Sequence, residues 1–495
     1  MMVDEIGSFW MRSTQRTSYP AATATEADVV VVGGGIAGLC TAWSLARQGR
    51  RVVVLEAGRI AEASTGNTTA KVTALHGAVY ADLGTENARW YGQSQLAGLA
   101  ALRAAADALA IDCDWEQRDA YTYAVTDDGA DRLREEAAAA AEAGLPAEFV
   151  TGTALPYPVT GAVRVGGQAQ FHPRRFLLAL AADLARLGGR IFEHSRVTEF
   201  ADGQVTLASG LVLRAADVVV TTGYPVLDRP ELYTRLVPKR ELVIAAPIPA
   251  GSDPHGMFLG VDDDRSVRTA PLPDGGRLLI VTGETYQPGE ADVDRRYAAL
   301  LAWAQERFGI SEADYRWSAQ DYTTTDGLPF IGRFPGHRHL WVATGFHGWG
   351  MTNSMVAATA LTGRILGTAA PDWADLYDPH RLHPFAEAPG LVKAAASVAK
   401  NLVGARFTKP DRTVEELAPG QGAVVRADGK RCAAYRDDAG QVHAVEASCT
   451  HLGCIVGFND AERTWECPCH GSRFDVDGTV LQGPALKPLP RIDLR

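Results

Sequence analysis

The stretch DVVVVGGGIAGLCTAWSLARQGRRVVVLEAG, residues 28–58, constrains the fold more than any other part of this chain. A β-branched run prefers a strand, consecutive glycines break a helix, and the apolar segment that follows leads to a second β-branched run. In this strand–turn–helix–strand unit, Gly33, Gly35 and Gly38 fall in the G-x-G-x-x-G spacing. The first permits a tight turn, the second lets a pyrophosphate approach the backbone, and the third lets helix and strand pack closely. The helix start, with Ala37 in its first turn, offers N–H groups and a positive dipole end to phosphate. Glu56 closes the second strand, eighteen residues after Gly38. A carboxylate there accepts hydrogen bonds from ribose hydroxyls and repels a 2′-phosphate, which argues against NADP. Val29–Ala46 is also an uncharged window close to the length of a membrane helix. Its glycines and valines favour strand and turn, so no integral membrane span is expected.

A second constraint lies near the other end. SCTHLGC (448–454) and WECPCHGSRFD (465–475) give Cys449-x-His451 and, after fifteen intervening residues, Cys467-x-x-His470. A zinc finger groups its two cysteines and its two histidines separately. Here each half carries one of each. That interleaving suits a [2Fe–2S] centre in which one iron takes two thiolates and the other two imidazoles.

CTHLGC and CPCHGS resemble the two box motifs of the Rieske family almost letter for letter. The resemblance implies an all-β C-terminal domain and a [2Fe–2S] cluster on Cys449, His451, Cys467 and His470. It implies a disulfide between Cys454 and Cys469 and a hydroxyl from Ser472 toward a bridging sulfide. Phe474 stands where the highest-potential members carry tyrosine, and GPALKPL (483–489) resembles the loop that covers the cluster.

Three further segments extend the first unit: FHPRRFLLALAADLARLGGRIFEHSRVTEF (171–200), DVVVTTGYP (217–225) and TTDGLPFIGRFPGHRHLWVATGFHGWGMTNSMVAATALTGRILG (324–367). Their order resembles the D-amino-acid oxidase and glycine oxidase (DAO) family over roughly 27–370. This implies an α/β FAD-binding domain, Rossmann-like and of the glutathione-reductase/DAO type, with an α+β substrate domain. The cofactor is then FAD. The matching positions are Val197 at the adenine, Gly223 in the Thr-Thr-Gly turn, and Asp326, Gly345, Gly348 and Gly350 along the ribityl and pyrophosphate. The loop STGNTTAK (64–71) would lie against the flavin ring, and Thr68 and Thr69, where covalent members carry histidine or cysteine, imply a non-covalent flavin. Lys71 and His76 follow that loop and are the candidate catalytic groups, although a lysine there could equally steady the flavin and the histidine could be structural. His347 and Trp349 would shape the site. In the oxidase branch an arginine before the DGLP turn clamps the substrate carboxylate. Here Gln320 and Asp321 occupy that strand, which argues against a simple α-amino acid.

A chain of 495 residues accommodates two or three domains. The expected division is an N-terminal extension (1–26), the FAD and substrate unit (27–370, with substrate parts near 111–164 and 226–320), a linker with an amphipathic helix (371–405) and the Rieske unit (406–495). ELVIAAPIP and RLLIVTGETY read as strands and VDRRYAALLAWAQERF as a helix. A net charge of −11 argues against nucleic acid. Seven cysteines, four of them clustered, mark a site and not a disulfide scaffold; with no signal peptide in the first 26 residues, a cytoplasmic setting is the default.

A flavin takes two electrons as hydride and a Rieske cluster passes one at a time. Their union implies an oxidoreductase acting on a small amine- or hydroxyl-bearing substrate. Electrons would leave from an exposed histidine edge to an external one-electron carrier. An electron-transfer reductase feeding an oxygenase, or a non-enzymatic redox sensor, are the alternatives; no second nucleotide fingerprint supports the first.

Overall fold

The computed structural model describes residues 6–226, 232, 234–381, 412–427 and 429–494. The valine run forms the strand Glu26–Val32, whose last four residues are buried. An all-apolar run suits a strand covered on both faces. It pairs in parallel with Val52–Leu55 and Val212–Val220, and Arg190–Phe192 and Leu340–Thr344 extend the parallel set. Phe330–Arg333 adds an antiparallel edge. The helices Ile36–Arg47, Pro173–Arg186 and Gly350–Leu366 cover this sheet, and the first and last pack closely on each other.

A second, nine-stranded sheet is mostly antiparallel, in the order Tyr315–Thr324, Leu236–Ile248, Arg277–Tyr286, Ser266–Pro271, Gly256–Gly260, Glu116–Ala124, Gly161–Gln170 and Lys71–Val72, with Ala147–Val150 on a branch. The strands expected at ELVIAAPIP and RLLIVTGETY fall within Leu236–Ile248 and Arg277–Tyr286, and the expected helix is Val293–Phe308. Two small antiparallel sheets, of three and four strands, build the C-terminal unit.

The N-terminal segment is more than an extension. Phe9 and Trp10 are buried in the main core, and Glu193 holds the following turn through Thr17 Oγ1 and the Tyr19 N–H. The helix expected in 371–405 lies outside the described residues. The membrane-length window resolves into strand, turn and a buried helix, and among the described residues no helix is long and apolar enough to cross a membrane.

Candidate functional site

A cavity of about 580 Å³ opens at the carboxyl ends of the parallel strands, where open α/β sheets bind ligands. Gly33, Gly35, Ala37, Glu56, Thr68, Thr69, Val197, Gly223, Gly345, Gly348 and Gly350 all line it. Gly38 does not; a Cβ there would overlap the Gly33 carbonyl, so its role is close packing of helix on strand. Glu56 accepts the N–H groups of Gly34 and Gly58, both at 2.7 Å. Burial raises its pKa, against those two hydrogen bonds, and each carboxylate oxygen retains a second acceptor site. A glycine-walled cleft ending at a buried acid fits an adenine dinucleotide.

Two adjoining strands form the floor of this cavity. Leu236–Ile248 and Tyr315–Thr324 pair antiparallel, with Lys239 opposite Asp321 and Arg240 opposite Gln320. Alternation sends neighbours to opposite faces. Lys239, Glu241 and Asp321 line the cavity, with the lysine and glutamate paired at 2.7 Å. Burial pushes the Asp321 carboxyl up to about 6 even though Gly348 N–H donates to it. The Lys239 ammonium, first among several causes, holds Glu241 below its usual range.

The remaining candidates sit elsewhere. Lys71 donates to Ser266 Oγ, and burial lowers its pKa to about 7. His76 is buried, stacked on Trp349 at 4.4 Å, with Nδ1 bonded to Tyr91 Oη at 2.6 Å and Nε2 to the Thr73 carbonyl at 2.8 Å. Burial drops its pKa to about 3. Neither side chain lines the cavity. Asp326 is not among the residues lining it and is held bidentately by Arg381 at 2.7 and 2.9 Å. The cavity-facing charges Lys239 and Glu241 were missed. Their signal was the run of three charges Lys239, Arg240 and Glu241 in a mostly apolar strand, and which of them face the cavity is settled only once the strand's partners are known.

The C-terminal unit presents two loops of the same shape. Cys449 N–H bonds Cys454 O and Gly453 N–H bonds Cys449 O, both at 2.8 Å; Cys467 N–H bonds Ser472 O at 2.8 Å and Gly471 N–H bonds Cys467 O at 3.0 Å. Gly453 and Gly471 both adopt left-handed φ, near 76° and 77°, which a side chain disfavours. Cys454 and Cys469 form the expected disulfide and tie the loops together. That leaves Cys449 and Cys467 as buried free thiols. They share a hydrogen bond with each other, which is the largest cause lowering Cys449 to about 7. Backbone N–H groups at 451 and 452 point to the first sulfur, and those at 469 and 470 to the second. The imidazoles of His451 and His470 stand 5.0 Å apart. Two thiols cradled by amides opposite two close imidazoles fit a two-iron cluster with mixed ligands. Ser472, fully buried, interacts with Cys449 and accepts the Ala485 N–H at 2.9 Å.

The histidine edge is only partly open to solvent: His451 is half-buried, whereas His470 is buried. His470 is 4% exposed. Its ring lies 5.8 Å from that of Tyr224, which is also 6.3 Å from His451. The C-terminal unit is seated on the floor strands. Gln320 Nε2 donates to Gly471 O at 2.8 Å, Gln287 Nε2 to Pro468 O at 2.6 Å, and Arg240 binds both Glu462 and Glu466. Arg473 and Val480–Gly483 of that unit close one side of the cavity.

Residues 28–364 match the family model for FAD dependent oxidoreductases (DAO), and residues 408–493 match that of the Rieske [2Fe-2S] domain. A protein of Bacillus subtilis (strain 168), provisionally named the Rieske 2Fe-2S iron-sulfur protein YhfW, is 36% identical over 98% of this chain and 97% of its own. Gamma-glutamylputrescine oxidoreductase of Escherichia coli (strain K12) is 25% identical over 79% of this chain and 94% of its own. Among solved structures, glycine oxidase from Geobacillus kaustophilus superposes with a TM-score of 0.61 at 21% identity, over 73% of this chain and all of that one.

Proposed function

The chain belongs to the FAD-dependent oxidoreductase (DAO) family and carries a C-terminal Rieske [2Fe-2S] domain, and from that premise we propose that it oxidises a small amine- or hydroxyl-bearing molecule and passes the electrons singly to an external acceptor. One observation carries the reading: the same cavity is walled by the glycine turn at one end and by the Rieske unit at the other.

Bound FAD supplies a hydride acceptor, and the [2Fe-2S] cluster a one-electron site. Gly33, Gly35, Ala37, Glu56 and Val197 would hold the nucleotide part; Thr68, Thr69, Gly223, Gly345, Gly348 and Gly350 the flavin part. Cys449 and Cys467 would ligate one iron, His451 and His470 the other. Asp321, with its pKa raised by burial to about 6, is suited to take the proton from the substrate's amine or hydroxyl. Lys239 and Glu241 offer a paired charge for orientation. Arg473 and Val480–Gly483 exclude water from that side.

The E. coli relative's name specifies an amine-bearing substrate, and this chain lacks the carboxylate-clamping arginine at Gln320. Both favour an amine without a neighbouring carboxylate. The test is an anaerobic screen of amines, amino acids and hydroxy acids for flavin bleaching, with NADH as a separate arm. Bleaching by an amine or alcohol supports the reading. Bleaching by NADH alone would replace it with the reductase reading.

A further inference from the structure

We propose that the paired strands Leu236–Ile248 and Tyr315–Thr324 are a fixed docking plate that holds the cluster's histidine side immobile against the flavin cavity, with Gln320 and Tyr224 as the positioning residues. This rests on the function proposed above.

The two faces of this strand pair divide the labour. Lys239, Glu241 and Asp321 turn to the cavity. The alternate residues meet the C-terminal unit: Arg240 and Ser318 bind Glu462, and Gln320 binds the Gly471 carbonyl beside His470. Gln320 spans the plate, because the same amide nitrogen also donates to Tyr322 Oη at 2.7 Å and both residues reach the cavity wall. Tyr322 lies edge-on to Tyr224 at 5.2 Å, and Tyr224 lies edge-on to both histidines. An unbroken set of contacts thus links the cavity to the histidine side.

Three features argue that this is the working position and not one stop of a moving carrier. Arg240 is 1% exposed and its partners are Glu462 and Glu466, both in the C-terminal unit. Undocking would leave that arginine in the sheet without its carboxylates, which is costly. Backbone meets backbone with no side chain between: a Cβ on Gly457 would overlap the Gly289 carbonyl. The Asp460 carboxylate accepts the Val293 N–H at 2.8 Å, where the helix Val293–Phe308 begins.

With both groups bound, the plate would let one electron pass from the reduced flavin to one ferric iron of the cluster, which would become ferrous. A one-electron acceptor such as a ferric haem protein must then empty the cluster before the second electron follows. Since His470 is buried against the floor strands, that acceptor meets the C-terminal unit away from His470.

The test uses the whole chain with both cofactors, reducing the flavin by a light flash and following cluster reduction optically. The wild-type rate should be independent of added glycerol, since nothing has to swing. Gly457→Ala pushes the units apart and should slow transfer by an order of magnitude or more, make it viscosity-dependent, and leave the cluster's spin-resonance spectrum unchanged. Gln320→Leu, which removes the bridging amide without a wedge, should slow transfer while both cofactors remain bound. A wild-type rate that falls in proportion to viscosity would overturn the fixed plate, as would unchanged transfer in Gly457→Ala. Absence of any flavin-to-cluster transfer in the wild type would instead remove the proposed function beneath it.

Discussion

Replacing Arg240 with methionine tests how firmly the two units are joined. The guanidinium is buried and contacts the Glu462, Glu466 and Ser318 side chains. Its pKa is raised far above the usual value; burial works the other way, and the carboxylates more than offset it. Removing one partner of a buried ion pair costs about 3–5 kcal/mol, because the other charge is left unpaired. Arg473 still reaches Glu462, and Glu466 at 3.4 Å, so the loss should fall near the lower end, at about 3 kcal/mol. Urea unfolding, followed by flavin fluorescence and by the cluster's visible circular dichroism, measures it. Adding Glu466→Gln alone should recover most of the loss, since Glu462 then keeps Arg473 as its partner and no buried charge is stranded. The wild type also carries a pH signature. Glu462 is depressed from 4.5 to about 2, the two arginines outweighing the opposing effect of burial. A depressed folded pKa stabilises fully above the unfolded value and is lost as pH falls through the folded one. This contribution should therefore hold above about pH 5 and disappear toward pH 2. A loss below about 1 kcal/mol in Arg240→Met, the range of an exposed pair, would refute a buried, charge-locked junction.

Three other outcomes follow from the geometry. Gly38→Val should abolish FAD retention, read as the flavin-to-protein absorbance ratio, because even a Cβ overlaps the Gly33 carbonyl. Trp10→Ala should weaken FAD binding without touching the cluster signal, since Trp10 Nε1 donates to the Thr68 carbonyl at 2.7 Å and braces a loop that would hold the flavin. If Asp321 is the base, kcat/KM should rise with pH through about 6, where its raised pKa places its loss of a proton, and Asp321→Asn should remove that limb.

What could be read from the sequence was local. Val29–Val32 declares a buried strand because every residue is apolar, and the Cys–His pairs declare a cluster because their interleaving matches one ligand geometry. The disulfide was implied by family resemblance alone, and the structure contains it. What could not be read was pairing across distance. Arg240 and Glu466 are 226 positions apart, and nothing local marks either as a junction. The same gap hid the inward turn of His470, since the motif specifies the loop and not what the loop rests on. Asp326 was singled out by family resemblance alone, and its pairing with Arg381, 55 positions along the chain, was equally beyond local reading. The burial of Phe9 and Trp10 in the main core was likewise not read, because nothing local in the 1–26 extension says what they pack on.

The central claim is that substrate-derived electrons reach the cluster through this chain. The most direct measurement is rapid-freeze spin resonance after anaerobic mixing with a compound that bleaches the flavin. A Rieske signal with two-histidine nitrogen coupling should rise within the same turnover as the bleaching. A flavin that bleaches fully while the cluster stays oxidised would contradict it.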